Sequence, residues 1–208
     1  MTNDPERITQ WAYDALHSKP ESDSTMLLTD IFTALTNERK YHLRRWGCRQ
    51  PDGTMAEQPH STGMFLIYMR DYFDEATHRL SRGPDMLETL GTLRKIVALG
   101  LACLEQNDSY DGKPVTLDDL FETIRRSDRM VPLHSRFHVF HVDLSTYLLK
   151  IRQCLVDGEV RLAAMNGESG LVIIREIVQI GVECFEKYGV PPRADQEFVF
   201  NMRDGRPA

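Results

Sequence analysis

The chain has 208 residues, of which 41% are hydrophobic and 27% charged, and a formal net charge of -6 at pH 7. This is an ordinary globular composition, enough for one good core or two small ones, and its acidic balance argues against broad nucleic-acid binding, which needs clustered Lys and Arg against phosphate. No apolar run approaches the roughly 20 residues that span a bilayer, and no apolar segment follows a basic start at Met1-Thr-Asn-Asp-Pro-Glu-Arg7, so a cytoplasmic protein with no membrane partner is expected.

Apolar residues return at three and four along nearly the whole chain, which predicts an all-α fold. Residues 1–22 read as an N-terminal helical arm: Pro5 after Asn3 or Asp4 opens a helix with Ile8, Trp11, Ala12 and Leu16 on one face, and Lys19-Pro20 closes it. Ser24 or Thr25 opens a longer helix with the stripe Leu28, Ile31, Phe32 and Leu35, expected to end at Trp46-Gly47 with the glycine left-handed. Residues 47–62, with a Pro51-Asp52-Gly53 turn, read as a surface loop. A third helix carries Phe65, Tyr68, Met69, Tyr72, Ala76 and Leu80 at helical spacing and stops around Arg82-Gly83-Pro84.

Met86, Leu90, Leu93, Val97, Leu101 and Leu104 mark the next helix. Gly91 and Gly100 inside it each cost roughly 1 kcal/mol against Ala, which predicts close helix contact at both. Asn107 to Pro114 reads as a joint, and Thr116-Leu-Asp-Asp119 as a capping-box start for a helix reaching about Ser127. His134 to Val142 is expected to be an irregular lead-in. Leu144, Leu148, Ile151, Leu155 and Leu162 then form a helix, Asn166-Gly167 a turn, and Leu171 to Tyr188 the last long helix, with Phe198-Val-Phe200 a short extended segment of the tail.

The chain also repeats itself. Arg94-Lys-Ile-Val-Ala-Leu-Gly-Leu-Ala-Cys-Leu-Glu105 matches Arg175-Glu-Ile-Val-Gln-Ile-Gly-Val-Glu-Cys-Phe-Glu186, and upstream Asp30-Ile-Phe-Thr-Ala-Leu35 matches Asp119-Leu-Phe-Glu-Thr-Ile124 in the same order. The expectation is an internally duplicated, pseudo-twofold helical bundle, with repeats at 23–108 and 109–190, the arm in front and a tail at 191–208. A site would lie near the axis where the halves meet, in a monomer acting as a pseudo-dimer or in a homo-oligomer. Cys103 and Cys184 sit at matched apolar positions and Cys154 in another apolar pattern, the company of reduced core thiols, and no CxxC spacing is present.

Three groups of residues suggest chemistry. His134, His138 and His141 have the i, i+4, i+7 spacing of metal ligands, but without an associated acid or Cys they read better as core or interface histidines. Arg39-Lys-Tyr-His-Leu-Arg-Arg45 is basic with aromatic residues interleaved, either a solvated helix end or an anion contact through Arg39, Arg44 or Arg45. Asp71, Asp74 and Glu75 project together from one helix, which suits a hard divalent cation and equally suits the wet side of any amphipathic helix.

Glu38-Arg-x-Tyr41 followed by Arg45-Trp-Gly47, a His-bearing loop, Asp71-x-x-Asp74-Glu-Ala76 and then Arg-(Lys/Glu)-Ile-Val-x-(Leu/Ile)-Gly resembles the phage branch of the MazG-like all-α nucleoside triphosphate pyrophosphohydrolases. The resemblance covers residues 30 to 107 and, more weakly, 116 to 188. It implies Mg2+-dependent cleavage of a nucleotide between its α and β phosphates, with Asp71, Asp74 and Glu176 as metal ligands, Glu75 and Glu176 as catalytic acids, and Arg39, Arg44 and Arg45 on phosphate. The family's second acidic pair would fall at Lys95-x-x-Ala98 and Glu176-x-x-Gln179, so neither half carries it intact. A protein of this pattern is either a hydrolase with a composite site or a catalytically silent relative that binds a nucleotide or a host protein.

Overall fold

The structure, a computed structural model, describes residues 24–82, 86–110, 112–127, 143–164 and 167–191. The N-terminal arm, the tail beyond Pro191, and the histidines His134, His138 and His141 lie outside the described residues. Six helices carry the fold: α1 (Ser24–Trp46), α2 (Thr62–Arg82), α3 (Met86–Asn107), α4 (Leu117–Ser127), α5 (Leu144–Ala163) and α6 (Gly167–Tyr188). The all-α expectation holds. No described helix is long and apolar enough to cross a membrane.

Two short antiparallel hairpins interrupt the helices. β1 (Cys48–Arg49) pairs with β2 (Met55–Ala56), where a plain loop was expected, and β3 (Ser109–Tyr110) pairs with β4 (Lys113–Pro114). The first closes over Gly53 at φ 85°, with Asp52 Oδ1 accepting from Thr54 N at 2.9 Å and Thr54 Oγ1 at 2.6 Å. Here the carboxylate completes the turn that a glycine with positive φ makes possible.

Helix ends follow local chemistry. Thr116 and Asp119 cap α4 reciprocally: Asp119 N donates to Thr116 Oγ1 at 3.2 Å and Thr116 N to Asp119 Oδ2 at 3.0 Å. Asp143 caps α5 by accepting from Thr146 N at 2.9 Å. Gly189 ends α6 in the left-handed region, φ 79°, with its N–H donating to Phe185 O at 2.8 Å. Gly47 is not left-handed, contrary to the sequence expectation. It is required there because a Cβ would lie 2.3 Å from Leu43 O.

The stripe Leu28, Ile31, Phe32 and Leu35 is buried on α1 as its spacing predicts. α3 runs through the middle of the molecule, packed against α1, α2, α4 and α6, and is buried along almost its whole length from Thr89 to Leu104. The core residues of both sequence repeats merge into one cluster.

α3 and α6 cross at their glycines. A Cβ on Gly100 would stand 2.6 Å from Val178 Cγ2, and one on Gly181 would stand 2.1 Å from Val97 Cγ2. Val97 and Val178 occupy matching places in the two similar blocks, as do Gly100 and Gly181, so each valine fills the space the other block's glycine leaves. Phe32 and Phe121, another matched pair, stack on each other with centroids 4.2 Å apart and planes 12° apart. The matched arginines also act alike: Arg94 donates to Pro191 O just past α6, and Arg175 Nε donates to Asp108 Oδ2 at 3.2 Å just past α3. Gly91 does not share the role expected of it, since a Cβ there would meet nothing nearer than Pro191 Cγ at 4.0 Å.

Gly181→Ala is therefore expected to destabilise the protein by about 1–3 kcal/mol through overpacking, with partial recovery in Gly181→Ala/Val97→Ala. Gly91→Ala is expected to stabilise it by up to about 1 kcal/mol. Urea unfolding midpoints read both, and equal effects at the two glycines would contradict the close crossing. The thiols supply a second test. Burial pushes Cys103 and Cys154 up to about 12 and raises Cys184 as well, whereas Cys48 is partly exposed. A thiol reagent at pH 8 should label Cys48 alone until denaturant is added; rapid native labelling of Cys103 would contradict the buried arrangement.

Candidate functional site

A cavity of about 570 Å³ opens between α1, α2, α3 and the segment after β2. α1 contributes Arg39, His42 and Trp46, three positions of one helical stripe, and α2 contributes Phe65, Tyr68, Asp71 and Tyr72. α3 contributes Leu99, Ala102 and Gln106, and the connecting segment Glu57, Gln58 and His60. All of these residues lie between 39 and 106. The cavity thus sits within the first half of the chain and not on the axis between halves, as the repeat had suggested. A second hollow, between α1 and α4 and lined by Thr33, Asn37, Lys40, Asp118 and Glu122 among others, is broadly open, and no buried side chain there lacks a hydrogen-bond partner among the described residues.

The walls are largely aromatic. His60 stands edge-on to Phe65 and Tyr68, with centroids 5.8 Å and 5.6 Å away, and His42 lies 4.9 Å from Trp46. Trp46 is 50% exposed, so the indole forms a rim accessible from solvent. Tyr68 and Tyr72 belong to the apolar stripe read from the sequence, but they are half-buried at the cavity while Leu66 and Phe73 enter the core beside Phe65, Met69 and Ala76.

One end of the cavity is braced by Arg39. Its guanidinium pairs with both oxygens of Glu57, Nη2 to Oε2 at 2.9 Å, and also donates to Glu105 Oε2 from Nε at 3.0 Å and Nη2 at 2.7 Å. Gln106 bridges the same segment, donating to Glu57 Oε2 at 2.8 Å and accepting from His60 N at 2.9 Å, and Asn107 donates to His60 O at 3.0 Å. Burial alone would raise the Glu57 carboxyl, but the Arg39 hydrogen bonds and charge outweigh it and hold Glu57 below the usual range. These bonds fix the segment that carries Glu57, Gln58 and His60 against the C-terminal end of α3.

Behind the opposite wall, Glu38 is 2% exposed and accepts from Arg94 Nε at 3.0 Å, while Arg94 also donates to Pro191 O. His42 is 4% exposed. Its Nε2 lies 3.3 Å from Glu38 Oε1 without hydrogen-bond alignment, and neither Nδ1 nor Nε2 has a hydrogen-bond partner. Nε2 thus faces the Glu38 carboxylate inside the wall, and both ring nitrogens are covered in the free protein.

The acids named from the sequence are not assembled. Asp71 lines the cavity and is exposed, Asp74 is exposed, and Glu75 is held by Arg79, with Nη2 2.8 Å from Oε1. Glu176 is exposed on α6, where its charge acts on the Cys154 thiol of α5 after burial as the larger cause. No α6 residue lines the cavity, and α6 packs mainly on α5 and α3. Asp71, Asp74 and Glu176 are therefore not gathered as the shared metal set expected of them, and Glu75 and Glu176 lie on different helices, α2 and α6. Among the described residues no group of three or more His, Cys, Asp or Glu side chains is placed to hold a metal ion.

The basic cluster divides. Arg39 is committed to Glu57 and Glu105, Arg44 is exposed, and Arg45 lies over the Tyr41 and Trp46 rings at 6.0 Å from each centroid. Sequence reasoning did not select His42, Trp46, Glu57, Gln58, Tyr68 or Tyr72 as site residues. Two tyrosines in a stripe otherwise suited to the core were the one available signal, since a buried phenol needs a partner or a wet edge. Comparison with known proteins finds no family model, no curated protein and no solved structure that matches this chain.

Arg94→Met removes the cation beside the buried Glu38 carboxylate and is expected to cost about 3–5 kcal/mol, with part of it recovered in Arg94→Met/Glu38→Leu. Chemical unfolding of both variants checks this, and a loss under about 1 kcal/mol in the single variant would contradict the pairing.

Proposed function

We propose that this chain is a nucleotide-binding protein that holds a nucleobase in the aromatic cavity and does not hydrolyse its ligand through carboxylate-held magnesium. The observation that carries the reading is the buried His42, without a hydrogen bond, on the wall of a cavity ringed by Trp46, Phe65, Tyr68, Tyr72 and His60. A cavity of about 570 Å³ is in the range of small-molecule sites and accommodates a base with its sugar. Aromatic faces stack on any base, a contact worth about 1–3 kcal/mol per base in single-stranded nucleic-acid complexes, and a polar edge on the base would meet His42.

The resemblance to MazG-like proteins points to the same ligand class. It would have required carboxylates gathered on two helices, and the separation of Asp71 and Asp74 from Glu176 favours binding over turnover. Lys95 stands where the resemblance calls for the first acid of the second pair, so the local charge is reversed at that position.

Calorimetric titration with a panel of nucleoside triphosphates, with Mg2+ and with EDTA, together with an assay for pyrophosphate release, tests the proposal. Binding should persist in EDTA, release should stay at background, and His42→Phe or Trp46→Ala should weaken binding about tenfold, equivalent to about 1.4 kcal/mol. Magnesium-dependent release abolished by Asp74→Ala would replace this reading with the hydrolase. Binding of no nucleotide would overturn both.

A further inference from the structure

The cavity has two electrostatically different ends. At the Arg39 end the cation is surrounded by Glu57 and Glu105, so that end offers no net positive charge to an anion. At the Tyr72 end two cations rest on aromatic rings. Lys95 Nζ lies 5.1 Å from the Tyr72 centroid, and Arg45 lies 6.0 Å from the Trp46 centroid. Tyr72 and Trp46 both line the cavity. Lys95 also continues the α3 stripe that supplies Leu99, Ala102 and Gln106, one turn further toward the helix N-terminus, so its stem follows the same wall.

Neither Arg45 nor Lys95 forms an ion pair among the described residues. The neighbouring acids are mostly engaged elsewhere: Glu38 with Arg94 and Glu75 with Arg79, which leaves Asp71 as an exposed acid in the wall. Arg45 is close enough to Tyr72 for its charge to oppose the rise in that phenol's pKa, which burial drives first and the charges of Glu75 and Glu38 assist.

We infer that Arg45 and Lys95 form a metal-independent clamp for the polyphosphate of a nucleotide whose base occupies the aromatic cavity. The inference rests on the nucleotide reading and adds the position of the phosphates and their independence from a divalent ion. A base entering between Trp46 and Tyr68 leaves its sugar and phosphates at the Tyr72 edge, beside the two cations that lie over the Trp46 and Tyr72 rings with no ion pair among the described residues. Arginine meets phosphate through its fork and lysine as a point charge, so the two supply complementary contacts.

The test is a phosphate ladder measured by calorimetry in EDTA: nucleoside, monophosphate, diphosphate and triphosphate of one base, with tripolyphosphate as a separate ligand. Wild-type affinity should climb by at least about tenfold from nucleoside to triphosphate and fall as salt rises. The Arg45→Gln/Lys95→Gln variant should lose most of that climb while nucleoside affinity changes by less than about threefold; these substitutions keep much of each stem over its ring. A flat ladder in wild type, a climb seen only with Mg2+, or a climb that survives in the double variant overturns the clamp and leaves the base-binding reading standing. Tripolyphosphate binding as tightly as the triphosphate would identify a plain polyanion site and overturn the link to the base. If no base-bearing ligand binds, the cavity reading fails together with the clamp.

Discussion

The crossing of α3 and α6 at Gly100 and Gly181 sets the geometry on which the remaining packing depends. Each glycine admits a valine from the opposing helix, Val178 and Val97, to a distance no other residue at that place would allow. Interiors are packed too tightly for such a crossing to be adjusted locally, so the axes of these helices are fixed by four side-chain positions. Arg94 and Arg175 reinforce the arrangement from both ends by holding the chain that leaves the opposite helix. With α3 held between α2 and α6, its remaining surface faces α1, and the cavity forms where α1 and α2 part over that surface.

Polar groups then do in the cavity walls what apolar contacts do in the core. Arg39 joins α1 to the segment after β2 and to the end of α3, through Glu57 and Glu105, residues far from it in sequence. Gln106 uses both ends of its amide to hold that segment from the other side. A cavity kept open in this way needs rigid walls, because an aromatic-lined space of this size would otherwise be closed by side-chain collapse. His42 is the exception in an otherwise well-satisfied region: its imidazole makes no hydrogen bond and faces the buried Glu38 carboxylate across 3.3 Å.

Much of the helical framework was legible because its signals are local and periodic. The stripe from Leu28 to Leu35, the cap at Thr116 and Asp119, and the helix following Asp143 are each set by residues within a few positions of one another. The site was less legible because it depends on encounters between distant residues. Tyr68 and Tyr72 fit the stripe of a buried helix face, and only the placement of Trp46 and His60 turns them into a cavity wall. Gly91 and Gly100 share one helix and one propensity cost, yet a valine of α6 meets only the second. The acidic helix misled for a related reason. Spacing places Asp71 and Asp74 on one surface, but spacing carries no information about where Glu176, on another helix, will lie.

The arginines take up most of the carboxylates around the cavity. Glu38 has Arg94, Glu57 and Glu105 share Arg39, and Glu75 and Glu88 share Arg79. A divalent cation seeking these carboxylates would have to displace guanidinium groups already in ion-pair contact with them, and for Glu38 it would do so at a position 2% exposed, where an uncompensated charge is most costly. Asp71 and Asp74 stand outside these pairs and are exposed. Carboxylates paired in this way stiffen the frame of the cavity. Arg45 and Lys95 stand outside these ion pairs among the described residues and lie instead over the rings of Trp46 and Tyr72, which is why the proposed clamp is placed at that edge.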